Sequence, residues 1–600
     1  MRLYIRKSCK TGVPSESPGV HNRLRGGRIE MFQILMTLLI YMVLVVPVGI
    51  YLYHVATKQK TFADPVFDRI DNRIYKVCRI ERGNMSWKTY ALNLLMTNAV
   101  MILIGYLVLR LQGLLFLNPN KIGAMEPPLS YNTIISFMTN TNLQHYSGES
   151  GLTYLSQVVV IIFMMFTSAA TGYAACMAFC RGMSGRPMGN FYEDMVRNTT
   201  RILIPIAFIV GLILIWQGTP QNFQSNFTVH TMEGELQDIA TGPIAALESI
   251  KHVGTNGGGF LGANSSTPLE NPTIISNIAE LYSMMILPGA CVIAFGRMIA
   301  DKRRELGKKT IFGKQGRTVF AAMAIIFMAG LAVCYVSEKA GNPILAGVGL
   351  NQDMGSYEGK EVRFGIAQSA LFTTTTTSFT TGTVNNMHDT LTPLGGLVPL
   401  LHMMLNCVFG GKGVGLMNMV MYVILAVFIS GLMIGRTPEY LGKKIEGREM
   451  KLVAVCLIIH PLLILGFSAL AVSTAGGLEG ITNPGFHGLS QVLYEYSSSA
   501  ANNGSGFEGL ADNSVFWNMT AGLAMYFGRF PAIILQLAIA GSILAKRKVN
   551  ETIGTLRTDN VIFTLILVFV VYIFAALTFF PALALGPIAE HLTVWFPVMG

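Results

Sequence analysis

Residues 252–266 read "HVGTNGGGFLGANSS": three consecutive glycines, Gly257 to Gly259, framed by Thr255, Asn256 and Asn264. In a soluble enzyme such a stretch would suggest a loop that cradles phosphate. Its surroundings argue otherwise. The chain of 600 residues is 51% hydrophobic and 13% charged, where soluble domains run near about a quarter charged. Long apolar runs accompany this shortfall, which marks an integral membrane protein and excludes the soluble globular classes. The net charge of +11 is a topology signal, because the basic residues sit in short segments between apolar spans. The expected surroundings are membrane lipids, with no nucleic acid. The eight cysteines form no CxxC and no regular framework, and most lie in apolar segments, so they read as small hydrophobes.

Ten stretches are apolar over the roughly 20 residues a membrane helix needs. They are 31–54, 90–117, 153–180, 199–217, 275–298, 318–337, 414–435, 452–472, 515–545 and 561–585. Pro531 is expected to kink the ninth. The connectors alternate in kind. Segments 55–88, 181–201, 297–317, 436–451 and 546–557 together carry 29 Lys and Arg, whereas 118–152, 218–274, 338–396 and 473–514 carry five. The basic set is expected in the cytoplasm, which places both termini outside. One feature conflicts: residues 1–30 hold Arg2, Arg6, Lys7, Lys10, Arg23, Arg25 and Arg28, and such a tail resists translocation. From Met31, "MFQILMTLLIYMVLVVPVGIYLY" runs straight into the first span. Residues 1–30 therefore read as a mis-assigned or disordered extension, with translation starting at Met31. A signal peptide is the competing reading, opposed by the lack of an apolar core in 1–30.

The four outside segments share a plan. Each holds a short apolar stretch followed by a polar turn of small residues: "YNTIISFMTNTNLQHYSGES" (131–150), "PIAALESIKHVGTNGGGFLGANSS" (243–266), "RFGIAQSALFTTTTTSFTTGTVNNMHD" (363–389) and "GLSQVLYEYSSSAANNGSGFEGL" (488–510). Apolar stretches of about ten to twelve residues are too short to cross a bilayer, but they can enter and turn back. The expected fold is an all-α membrane protein of four span–pore loop–span repeats at 90–185, 199–300, 318–435 and 452–545. One extra helix lies at each end, in 31–89 with its cytoplasmic loop and in 561–600, around a channel-like pseudo-fourfold pore.

Non-helical backbone at membrane depth must be buried in protein or line a water-filled path. Four such loops can close a ring of carbonyls that replaces the hydration shell of a potassium ion. Glycine lets the carbonyls turn to the axis, while Thr, Ser and Asn can hold the loops from behind. The negative end of each half-helix favours a cation. The phosphate reading fails: GxxxxGK[ST] is absent around Gly257–Gly259, and "GGKGVG" at 410–415 lacks the required first glycine and the hydroxyl residue after its lysine. The residues by themselves reach a potassium-like cation filter in a four-repeat membrane protein.

"SFMTNTNLQHYSGE", "GTNGGGFLGANSS", "NNMHD" after Gly382, "GLMIGRTPEYLGKKIE" and "SSSAANNGSGFEGL" together resemble the potassium-binding A subunits of the Kdp potassium-transporting ATPases, within the superfamily of potassium transporters. The resemblance runs from about Met31 to "FFPALALGPIAEHL" (579–592). It implies a channel-like subunit of an ATP-driven potassium uptake complex in the bacterial inner membrane. Its implied partners are the P-type ATPase (B) subunit that uses the ATP, the single-span (C) subunit and the small (F) subunit. A stand-alone Trk/Ktr-like potassium transporter or channel is the alternative.

Carried over by motif, the resemblance implies K+ binding at Asn140, Asn142, Thr255, Asn256, Gly257, Thr381, Gly382, Asn502, Asn503 and Gly504, supported by Gln144. Thr381 stands where the commoner form has cysteine. Selectivity is expected to survive, because a backbone carbonyl would be the ligand. "FGGKGVG" (409–415), with Gly410, Gly411, Lys412 and Gly413, would form an intramembrane gating loop. Lys412 departs from the Gly-Gly-Val-Gly form. It reads either as a lysine snorkelling to an interface or as a cation beside the pore exit that opposes leak. Arg529 reads either as a buried partner of a carboxylate or of helix-end carbonyls, or as a block that diverts ions sideways to the ATPase subunit. Arg436 reads either as a positive-inside anchor or as part of the gate and subunit interface. The chain has no DKTGT and no nucleotide loop, so no hydrolytic activity of its own is expected. The ten histidines lack metal-ligand spacing, and no cofactor is expected beyond K+ as cargo.

Overall fold

The structure, a computed structural model, describes residues 18–62, 64–302, 311–549 and 556–596. The expectation for residues 1–30 lies in part outside the described residues, which begin with helix at Pro18. Among the described residues ten helices are long and apolar enough to cross a membrane: Ile29–Ala56, Trp87–Leu114, Tyr154–Met183, Phe191–Gln217, Ile274–Lys302, Lys314–Gly347, Gly411–Met433, Gly447–Ser473, Val515–Ala545 and Val561–Trp595. Each corresponds to an expected span, with ends moved by several residues. The ninth runs unbroken through Pro531.

Four short helices lie between consecutive spans: Pro127–Met138, Ile244–Val253, Gly365–Ser378 and Phe486–Ala501, of 12, 10, 14 and 16 residues. Even the longest reaches only about 24 Å, short of a hydrocarbon core of about 30 Å. These pore helices are almost wholly buried, Thr373 to Thr376 included. They therefore sit within the ring of spans, away from lipid.

Why the pore helices are central follows from where the apolar surface goes. The first and tenth spans leave Leu39, Val43, Ile562, Phe569 and Leu577 exposed, as lipid-facing helices do. The third and fifth spans bury most of their side chains. Small residues allow the close crossings: a Cβ on Gly296 of the fifth span would come within 2.7 Å of the Gly316 Cα of the sixth, and one on Gly49 within 2.6 Å of Ile293. This is the small-residue packing expected where helices meet in lipid.

The seventh span differs from the others. A half-helix, Pro393–Leu405, precedes it and ends at Asn406 in left-handed conformation. Phe409, Gly410, Lys412 and Gly413 then all take positive φ before helix resumes at Val414. A run of such residues cannot continue an α-helix. Two small β-hairpins, Phe227–His230 with Leu236–Ile239 and Glu439–Tyr440 with Lys443–Lys444, lie in connectors and were not expected. On the side of the basic connectors, the buried Arg201 pairs with Asp64, Asp68 and Asp71 of the helix Asp64–Val77. The seven described cysteines are free, and six of them are buried.

Candidate functional site

The four pore helices end alike. Each is closed by a left-handed residue: Asn140 (φ 59°), Thr255 (φ 47°), Thr380 (φ 51°) and Asn502 (φ 55°). The next amide donates back across the turn: Thr141 N to Ser136 O (2.9 Å), Asn256 N to Lys251 O (2.8 Å), Thr381 N to Thr376 O (2.8 Å) and Asn503 N to Ser498 O (2.9 Å). These are Schellman-type closures, which stop the helix and turn the chain. Asn tolerates the conformation. A β-branched Thr does not, so Thr255 and Thr380 hold strain that the surroundings must maintain.

Beyond the turn the loops converge. A Cβ on Gly257 would meet Thr141 O at 2.9 Å, Thr381 O at 3.0 Å and Gly504 Cα at 3.0 Å. One on Gly504 would collide with Thr141 O, and one on Gly382 with Asn503 O. The carbonyls of Thr141, Thr381 and Asn503 thus come together against three glycines of other loops, and only the missing side chains leave the space. Asn142 (φ 58°), Gly382 (φ 93°) and Gly504 (φ 109°) share left-handed geometry at the third position of their loops, whereas in the second loop that geometry shifts by one residue to Gly258 (φ 70°).

The amides hold the loops from outside. Asn140 Nδ2 donates to Thr255 O (2.9 Å), and Asn140 Oδ1 accepts from Asn256 Nδ2 and Ser168 Oγ, each at 2.9 Å. Asn502 Nδ2 donates to Thr141 Oγ1 (2.9 Å) and Asn503 Nδ2 to Thr376 O (2.9 Å). Gln144 spans two loops, donating to Gly259 O (3.1 Å) and accepting from Gly259 N (2.7 Å). Asn142 is the exception: both its polar side-chain atoms are buried without a partner among the described residues. All ten candidate filter residues lie in these four loops, and Gln144 lies against the second.

Sequence reasoning missed several residues that the fold adds. Thr141 and Thr380 occupy positions equivalent to residues already singled out, and aligning the four loops on their turns would have found both. Asn264 Nδ2 donates to Gly382 O (3.0 Å), tying the second loop to the third. Lys251 stands where the other loops have Ser136, Thr376 and Ser498. Its ammonium, fully buried, contacts Glu248 Oε2 (3.0 Å) and Ser265 Oγ (2.7 Å). His145, just after the first loop, lies 3.2 Å from Glu495 Oε1 and 3.8 Å from Asp512 Oδ2, with Nδ1 2.9 Å from Asn518 Oδ1. Burial alone would lower its imidazole, but Asp512 and Glu495 outweigh this and hold it up at about 9. A cavity of about 290 Å³, lined by Gln144, His145, Asn264, Gly504, Glu508 and Asp512, opens beside the loop ends.

The broken part of the seventh span lies against the other end of these loops. Phe409 stacks on Phe379 (4.7 Å, 2°), and Gly410 N donates to Ser378 O (3.0 Å). Gly411 lies against Thr255 Oγ1 and Gly413 against Cys176, each too closely for a side chain. Lys412 is fully buried and donates from Nζ to Asn502 O at 2.7 Å. Snorkelling to an interface is therefore excluded for Lys412. Arg529 is buried with Nη1 and Nη2 unpartnered among the described residues, so the carboxylate-partner reading does not hold for those atoms there. A Cβ on Gly172 would come within 2.5 Å of Lys412 Cβ and 2.6 Å of Arg529 Nη2. A small cavity of about 40 Å³, lined in part by Asn418, His460, Asn502 and Arg529, adjoins them. Arg436 is exposed in the connector after the seventh span.

Four re-entrant half-helices whose loop ends converge within ten spans define a pore-loop membrane transport protein. The chain matches the family "KdpA: Potassium-transporting ATPase A subunit" over residues 35–592, and it belongs to that family. It is 56% identical over 568 residues to the potassium-transporting ATPase potassium-binding subunit of Clostridium acetobutylicum, a match that covers 94% of this chain and 100% of the relative. A weaker likeness is to the solved structure of the potassium transporter TrkH from Vibrio parahaemolyticus. That likeness has 13% identity and a TM-score of 0.47, over 72% of this chain and 83% of that one.

Proposed function

We propose that this chain is the potassium-binding and -translocating subunit of an ATP-driven potassium uptake complex. The observation that carries the reading is the set of four left-handed loop turns, with the Thr141, Thr381 and Asn503 carbonyls meeting Gly257, Gly382 and Gly504. Backbone carbonyls fixed in a ring can replace the water around a dehydrated potassium ion. Ions enter from outside, past the cavity beside Gln144 and Asp512, and bind among the loops. Lys412 and Arg529 lie beneath and oppose straight passage to the cytoplasm, which also counts against a stand-alone channel. The ion passes sideways to the P-type ATPase (B) subunit, which hydrolyses the ATP, with the single-span (C) and small (F) subunits completing the complex. The complex sits in a bacterial inner membrane with the basic connectors in the cytoplasm and both termini outside.

The test is ATPase activity of the co-purified complex with and without this chain. Potassium-stimulated hydrolysis that requires the chain is expected. Gly257→Asp is expected to weaken preference for potassium over sodium while the protein remains in the membrane. Hydrolysis indifferent to potassium in the wild-type complex would refute the reading.

A further inference from the structure

Lys412 lies in a setting that few lysines occupy. Its ammonium is fully buried, and its one hydrogen bond among the described residues goes to the carbonyl oxygen of Asn502 (2.7 Å), the residue that turns the fourth loop. Among the described residues it forms no ion pair with a carboxylate, and the neighbouring cation Arg529 adds repulsion. The backbone holds it there. Lys412 itself has φ 57°, and the tight flanking contacts of Gly411 on Thr255 and Gly413 on Cys176 pin the loop to the second and first repeats. An ammonium and a potassium ion carry the same charge, are similar in size, and both bind carbonyl oxygens. The negative end of the helix Phe486–Ala501, which terminates at Asn502, favours either one.

We propose that the Lys412 ammonium is a tethered cation occupying the innermost carbonyl position of the ion path, at Asn502, which a potassium ion must take over in order to advance. The inference rests on the filter reading above and assigns a role to one residue within it. Two like charges cannot share one carbonyl in a buried site, so the tether competes directly with the ion. It thereby sets how tightly the innermost ion is held, apart from the selectivity created higher in the loops.

The test compares the wild-type complex with Lys412→Met, Lys412→Gln and Lys412→Arg, reading the potassium concentration for half-maximal ATPase stimulation. Both neutral variants should lower it by at least about fivefold, and Lys412→Arg should stay near wild type. A gain in affinity is not what damage to packing produces, so this readout separates competition from a structural role. An unchanged or raised half-maximal concentration in both neutral variants would overturn the inference. Failure of both to assemble would also overturn it, assigning Lys412 to the fold alone. A wild-type complex without potassium stimulation would overturn the proposed function itself, and this inference with it.

Discussion

Gly504 and Gly218 separate conformational strain from ion-site geometry. Their φ values are nearly equal, 109° and 108°, but a Cβ on Gly504 meets the Thr141 carbonyl oxygen and Gly257 Cα (3.1 Å), whereas one on Gly218 meets nothing within 4 Å. Alanine at either site carries the same left-handed penalty, about 1–2 kcal/mol. At Gly504 the Thr141 carbonyl must also retreat by roughly 1 Å to reach an ordinary C···O separation. Losing one well-placed oxygen from a bound cation is comparable to losing a hydrogen bond to a charge, about 2 kcal/mol. That corresponds to a rise on the order of thirtyfold in the half-maximal potassium concentration. The assay is potassium-stimulated ATPase activity of the complex, with thermal unfolding of each variant measured alongside. Gly218→Ala should lower thermal stability and leave potassium dependence alone, while Gly504→Ala should change both. Equal potassium dependence in the two variants would refute the assignment of these loops as the ion site.

Three further outcomes follow from the surrounding charges. His145 is held above its ordinary value, so its contribution to stability is complete below about 6.5 and is lost as pH rises through about 9, amounting to at most on the order of 3 kcal/mol. The melting temperature should therefore fall between about pH 6.5 and pH 9 in wild type and flatten in His145→Gln, and parallel profiles would count against the cluster with Glu495 and Asp512. Lys251→Met leaves Glu248 buried beside Ser265 without its ammonium, which should cost about 3–5 kcal/mol; the double variant with Glu248→Gln should regain most of it in thermal unfolding, and simple additivity would contradict the pairing. Arg529→Ala should reduce potassium moved per ATP hydrolysed while potassium-stimulated hydrolysis persists, and wild-type coupling in that variant would dispose of the blocking role.

Much of the architecture was legible before any coordinates. The ten spans rest on runs of apolar residues, and bilayer thickness leaves little freedom in reading them. The four re-entrant segments were visible because "TNTN", "GTNGGG", "TTGT" and "NNGSG" recur after stretches too short to cross. The half-helix Pro393–Leu405 was not recognised. Its apolar residues merge into the following span, and its end is marked only by Asn406 and the glycines beyond. The roles of Lys412 and Arg529 stayed divided for a different reason: charge in an apolar run says that a partner is needed, not which group supplies it.

The sequence by itself determined the spans, their alternation with re-entrant loops, and the glycine positions where backbone has to approach backbone. Those properties are local, because hydropathy and allowed φ/ψ act over a few residues. Only the tertiary structure decided that Thr141, Thr381 and Asn503 present their carbonyls against Gly257, Gly382 and Gly504, that Lys251 replaces a hydroxyl in one loop of four, and that Lys412 reaches Asn502. Each of those contacts joins segments about 90 to 360 residues apart or depends on an equivalence between repeats, and such distances close only when the spans pack.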